Sequence, residues 1–68
     1  MFTVYILKCV NGKFYTGFSS NFEQRLRAHQ KGDVKFTSSR LPVGVAHLSH
    51  FVVKQKAYDF ERYLKTGS

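Results

Sequence analysis

The chain has 68 residues, one domain at most, and a chain of this size buries only about 60% of its unfolded surface, so its core is thin. Eleven Lys and Arg against four Asp and Glu leave a net charge of +7, which favours a polyanionic partner, nucleic acid ahead of an anionic membrane surface. A single cysteine, Cys9, excludes an internal disulfide framework and argues against a Cys-based zinc site, and no stretch approaches the roughly 20 apolar residues of a membrane span.

Residues 2–9, FTVYILKC, are β-branched and aromatic with apolar groups on both alternating faces, as in a strand covered on both sides. Asn11-Gly12 follows, the strongest short hairpin signal, and residues 13–18, KFYTGF, read as the return strand. Ser20-Asn21-Phe22-Glu23 fits a capping box with Ser20 as N-cap, and Gly32 is a natural stop, so a helix is expected over 21–31. At about 100° per residue, Phe22, Leu26 and His29 share one face with Arg25 beside them, while Gln24, Arg27 and Lys31 point away. A loop is expected from Gly32 to Val43. Residues 45–53, VAHLSHFVV, read as a third strand, and 55–65, QKAYDFERYLK, as a second helix. Its apolar arc is Ala57, Phe60 and Leu64, with Glu61 at the edge, and Gly67 is the one stop signal after it.

The expected fold class is therefore α+β: a small three-stranded antiparallel sheet flanked by helices, in the order β-β-α-β-α. Met1–Tyr5 lack the charged n-region of a signal peptide, and with one cysteine a cytoplasmic setting is expected. His47 and His50 are three apart on one strand and so face opposite ways, which argues against a shared metal.

Two charged positions break the bland pattern. Arg25 and Glu61 both sit beside an apolar helix face, where a charge needs a partner or a task. They could pair with each other or snorkel outward at the rim of the core. On pattern alone, Tyr5 and Tyr15 read as ordinary half-buried strand tyrosines in the two central strands. His29 reads as a packed structural histidine or as a group touching phosphate.

Val4-Tyr5-Ile6 followed by Tyr15-Thr16-Gly17 resembles the paired signature of the GIY-YIG nucleases, with Tyr5, Tyr15 and Arg25 spaced ten and ten apart as in that family. Residues 15–26 resemble its second strand and first helix. His29, Phe36-Thr37 and Arg40-Leu41-Pro42 resemble features of the small single-domain branch. Ala57, Glu61, Leu64 and Lys65 resemble its final helix. Thr3 stands where the signature has its first glycine, and Thr16 where it has an isoleucine; neither change removes an acid-base or charged group. The resemblance covers nearly the whole chain, and implies one GIY-YIG-like nuclease domain over residues 1–68.

What the resemblance implies is a metal-dependent endonuclease that hydrolyses phosphodiester bonds in nucleic acid, DNA foremost. Its catalytic set would be Tyr5, Tyr15, Arg25, His29 and Glu61, with Glu61 holding Mg²⁺ or Mn²⁺. The chemistry suits these groups. Mg²⁺ takes one or two carboxylates plus phosphate oxygens. Arginine offers a permanently charged fork for a non-bridging oxygen. A tyrosine acting as base has a pKa near ~10 to overcome and needs positive charge beside it, from Arg25, the metal, or Lys8 or Lys13. Lys8, Lys13, Arg27, Lys31, Lys35 and Arg40, with Lys54 and Lys56, would contact phosphates without reading sequence. The alternatives are a non-catalytic nucleic-acid-binding module of the same fold and a basic scaffold for protein contacts.

A two-residue Asn11-Gly12 turn would pair Lys8 with Tyr15 and Tyr5 with Phe18, and so would put Tyr5 and Tyr15 on opposite faces. A shared site requires a one-residue register change, from a bulge or an odd-length loop, and such an irregularity is expected.

Overall fold

The computed structural model describes residues 1–66; Gly67 and its expected role as a stop lie outside the described residues. Strands β1 (Phe2–Cys9) and β2 (Phe14–Ser19) form a hairpin, followed by helix α1 (Phe22–Lys31), a one-turn helix α2 (Lys35–Ser38), strand β3 (Val43–Phe51) and helix α3 (Lys54–Thr66). The sheet is antiparallel in the order β2-β1-β3. Only β1 is central, so Tyr15 lies on an outer strand rather than a central one.

The hairpin carries the expected irregularity. Tyr5 pairs with Gly17, Leu7 with Tyr15 and Lys8 with Phe14. The Cys9 amide donates to the Lys13 carbonyl at 2.8 Å, so the loop is Val10-Asn11-Gly12, three residues rather than two. Gly12 has φ +83°, the left-handed residue that closes a three-residue loop of this kind. Tyr5, Leu7, Cys9, Tyr15 and Gly17 consequently share one face. A second irregularity lies on the other side of β1. Ile6 pairs with His47 and Leu7 with Val45, leaving Ala46 as a bulge.

Helix α1 is capped by Asn21, not Ser20. The Asn21 side chain accepts from the Gln24 amide at 3.3 Å, one residue later than the capping-box reading. Gly32, at φ +85°, ends the helix with its own amide on the His29 carbonyl and that of Asp33 on the Ala28 carbonyl. The expected continuous loop beyond it is interrupted by α2. Four residues are too few to leave a periodic pattern, and the helix exists through its contacts rather than its propensity.

The two faces of the sheet have different covers. Tyr5, Leu7, Cys9 and Val43 form the core under α1, with Tyr15, Phe22, Leu26 and Leu41 packed against it. On the opposite face Phe2 stacks on Phe18, and α3 supplies Phe60 against Phe51 and Tyr58 against Phe18. Ala57, on the expected inner arc of α3, is fully buried. His47 and His50 pair with Ile6 and Thr3, opposite faces as expected. No helix among the described residues is long and apolar enough to cross a membrane.

Candidate active site

Tyr5 projects from the central strand and its phenol lies across the backbone of Gly17. A Cβ at position 17 would come within 2.3 Å of Tyr5 Cζ and 2.4 Å of its Oη. Glycine is required here for space, its φ being unexceptional. Gly17→Ala is therefore expected to force the ring aside and to destabilise the fold by about 1–3 kcal/mol, the usual range for overpacking. Urea unfolding measures this, and an unchanged midpoint would show that β2 yields instead.

The Tyr5 hydroxyl lies 3.0 Å from His29 Nε2, and His29 Nδ1 lies 2.8 Å from Thr37 Oγ1. Tyr5 is 1% exposed, and His29 and Thr37 are fully buried. Aromatic contacts hold the ring set in place. Tyr15 meets His29 edge-on at 4.8 Å and Phe36 at 5.5 Å, while Phe22 closes on Tyr5 at 5.2 Å.

Charge on this cluster comes from Arg25, whose own fold position is exposed. Burial pushes the Tyr5 hydroxyl above its ordinary value, and the Arg25 guanidinium beside it opposes that push. Tyr15 and Glu61 act in the same direction as burial, which puts both within electrostatic reach of Tyr5. The Tyr5 hydroxyl in turn holds Arg25 more firmly protonated, with Tyr15 adding to the effect. Burial, then the nearby Arg25 charge, lowers His29 below the usual imidazole range, so the ring stays neutral at pH 7.

Glu61 does not pair with Arg25. Its Oε2 meets Lys65 Nζ at 3.0 Å within α3, and its side chain is 13% exposed. No group of three or more His, Cys, Asp and Glu gathers among the described residues. Among the described residues, Glu61 is the carboxylate whose charge acts on Tyr5. That donor set fits Mg²⁺ or Mn²⁺, which complete their shell with water and phosphate oxygens, and does not fit an all-protein cage.

The structure thus gathers Tyr5, Tyr15 and His29 with Arg25 beside them, while Glu61, on α3, reaches Tyr5 through its charge alone. The expected basic contacts are more scattered. Arg27, Lys31, Lys35 and Lys13 are exposed. Lys8 is exposed on the face opposite Tyr5, because it alternates with Leu7 and Cys9, and the charge acting on Tyr5 is that of Arg25, neither Lys8 nor Lys13. Arg40 has internal work. Its guanidinium carbon stands 4.2 Å over the Phe36 ring and its Nη1 donates to the Phe36 carbonyl. Thr37, Phe36 and the steric role of Gly17 are the contributions that periodicity missed.

Comparison with known proteins agrees with this geometry. A family model described as the GIY-YIG catalytic domain matches residues 1–68. The chain is 41% identical over 63 residues to a UPF0213 protein of Clostridium perfringens, covering 91% of this chain and 68% of that relative. It is 39% identical over 62 residues to a UPF0213 protein of Bacillus licheniformis, covering 90% of this chain and 64% of that relative. These curated relatives are therefore longer than the chain described. The solution NMR structure of a UPF0213 protein from Bacillus halodurans superposes with a TM-score of 0.63 at 32% identity, covering 97% of this chain and 72% of that one. With a match along its full length and the paired tyrosines brought onto one sheet face, this chain belongs to the GIY-YIG catalytic domain family.

Proposed function

We propose that the chain is a divalent-metal-dependent endonuclease that hydrolyses phosphodiester bonds in nucleic acid, DNA foremost. One observation carries this reading: a buried tyrosine hydroxyl is hydrogen-bonded to a neutral, buried histidine, with an arginine beside it and a single carboxylate in electrostatic reach. A packing role alone needs neither the arginine nor a hydrogen-bonded pair of buried polar side chains in the core. Membership in a nuclease family and the +7 charge point the same way.

In this mechanism the water that attacks phosphorus gives its proton to Tyr5, whose own proton moves to His29 Nε2 along the 3.0 Å hydrogen bond. Arg25 opposes the effect of burial on Tyr5 and offers its fork to a non-bridging phosphate oxygen. Tyr15, on the same face and more exposed than Tyr5, orients the water. Glu61, with the substrate phosphate, would hold the metal, which supplies positive charge beside the phosphate and the leaving oxygen. Exposed Arg27, Lys31, Lys35 and Lys13 would grip the backbone without reading bases.

The test is a panel of labelled duplex, nicked, branched and single-stranded DNA and RNA, incubated with Mg²⁺, Mn²⁺ or EDTA. Cleavage that appears with metal and disappears in EDTA is expected. Salt-sensitive binding without cleavage on any substrate would replace this reading with the non-catalytic binding module.

A further inference from the structure

We infer that Thr37 is a positioning residue that fixes the neutral tautomer of His29, keeping the proton on Nδ1 so that Nε2 is free to accept the proton of Tyr5; the catalytic half of this inference rests on the nuclease reading above.

A neutral imidazole has one donor nitrogen and one acceptor nitrogen, and the partner of one decides the state of the other. His29 is fully buried, so solvent cannot make the choice. Its Nδ1 faces Thr37 Oγ1 at 2.8 Å, and its Nε2 faces Tyr5 Oη at 3.0 Å. The Thr37 hydroxyl has one proton, and the Val34 carbonyl at 3.4 Å is an acceptor for it other than the ring. With that proton on Val34, the hydroxyl's lone pairs face Nδ1, and we assign Nδ1 as the N–H. Nε2 is by elimination the acceptor, and its neighbour is the Tyr5 hydroxyl. The chain of donors runs from Tyr5 through His29 and Thr37 to the backbone of Val34.

The one-turn helix α2 is what delivers the threonine. Gly32 reverses the chain after α1, and α2 then lays Thr37 against a ring eight residues back. The following Arg40 amide returns to the Thr37 carbonyl at 2.9 Å, and the Val10 amide of the hairpin loop meets the Arg40 carbonyl at 3.1 Å. The turn that carries Thr37 is thereby tied to the hairpin loop through the backbone of Arg40.

Thr37→Val removes the hydroxyl and keeps the shape. A buried Nδ1–H would then lack an acceptor, which is costlier than a bare nitrogen, so the proton should move to Nε2 and point at Tyr5. In that state His29 cannot take the Tyr5 proton. Thr37→Ser keeps the acceptor.

The experiment records heteronuclear spectra of ¹⁵N-labelled wild type, Thr37→Val and Thr37→Ser, which distinguish the two neutral tautomers at His29, alongside single-turnover cleavage and thermal unfolding. The expected result is Nδ1–H in wild type and Thr37→Ser, and Nε2–H in Thr37→Val. kcat should fall about tenfold or more in Thr37→Val, with KM unchanged and recovery in Thr37→Ser. Nε2–H in wild type, or Nδ1–H retained in Thr37→Val, would overturn the inference. Should Thr37→Val not fold, the wild-type tautomer alone decides. If wild type cleaves nothing, the nuclease reading fails, while the tautomer spectra still establish or refute the role of Thr37.

Discussion

Glu61→Ala is expected to lower metal-dependent cleavage by about 10³-fold or more while leaving nucleic-acid binding in place, a loss at the upper end of those seen when a single electrostatic group is removed from an active site. The size follows from Glu61 being a lone carboxylate. No group of three His, Cys, Asp and Glu exists among the described residues to take over the metal. The exposed cations on α1 and α2 are untouched by the change, so affinity is carried by other atoms. Stability should barely move, because the pair Glu61 makes with Lys65 is an i,i+4 contact to a half-exposed partner and is worth only about 0.3–0.5 kcal/mol. Cleavage, binding by titration and thermal unfolding on the same preparation separate these effects. Loss of binding together with cleavage would place Glu61 in the fold or the grip rather than at the metal. Activity equal in wild type and variant would point to a contaminating nuclease.

Arg25→Ala is expected to cost about 10²–10³ in kcat, with Arg25→Lys recovering only part of it. Two losses coincide. The scissile phosphate loses a forked donor where negative charge builds. Tyr5 loses the positive charge that opposes burial, so its proton becomes harder to remove. Lysine restores charge without the planar fork, and so repairs the second loss better than the first. Because the fold position is exposed, circular dichroism and the unfolding midpoint should match wild type. Single-turnover kinetics with saturating substrate read the chemical step. A kcat unchanged in Arg25→Ala would remove arginine from the mechanism and leave Tyr5 without a counterweight.

Alternation and turn signals make most of the fold legible. β1 follows from its pattern residue for residue, and β2, α1, β3 and α3 to within one or two positions, because each has a periodic pattern and a flanking stop such as Gly32. The cap lies at Asn21 rather than Ser20, and the sequence leaves both open because each is a good cap, Ser20 for the Glu23 amide and Asn21 for that of Gln24. α2 leaves no trace because four residues hold no period. The site is legible as an ordered set of residue types, and the need for a register change follows from demanding that Tyr5 and Tyr15 meet. Which change occurs does not follow, since Asn11-Gly12 suits a two-residue turn as readily as the last two places of a three-residue one. Nor can spacing show that Glu61 takes Lys65 rather than Arg25 as its partner. Thr37 stays hidden for the same reason as α2: it reaches His29 through a reversal at Gly32, which no helical or strand period spans.

The hairpin loop makes its length a matter of parity. With Val10, Asn11 and Gly12 between Cys9 and Lys13, Tyr15 and Gly17 lie on the face that Tyr5 occupies. Removing or adding one loop residue, without a bulge to absorb it, would turn all six residues of β2 over. Tyr15 would then face α3 and Phe18 the core, and the space that Gly17 leaves for the Tyr5 ring would open on the wrong side of the sheet. Two residues added together would leave every side chain where it is. Insertions at this turn are therefore neutral or ruinous according to whether they are even or odd, however exposed the loop itself is.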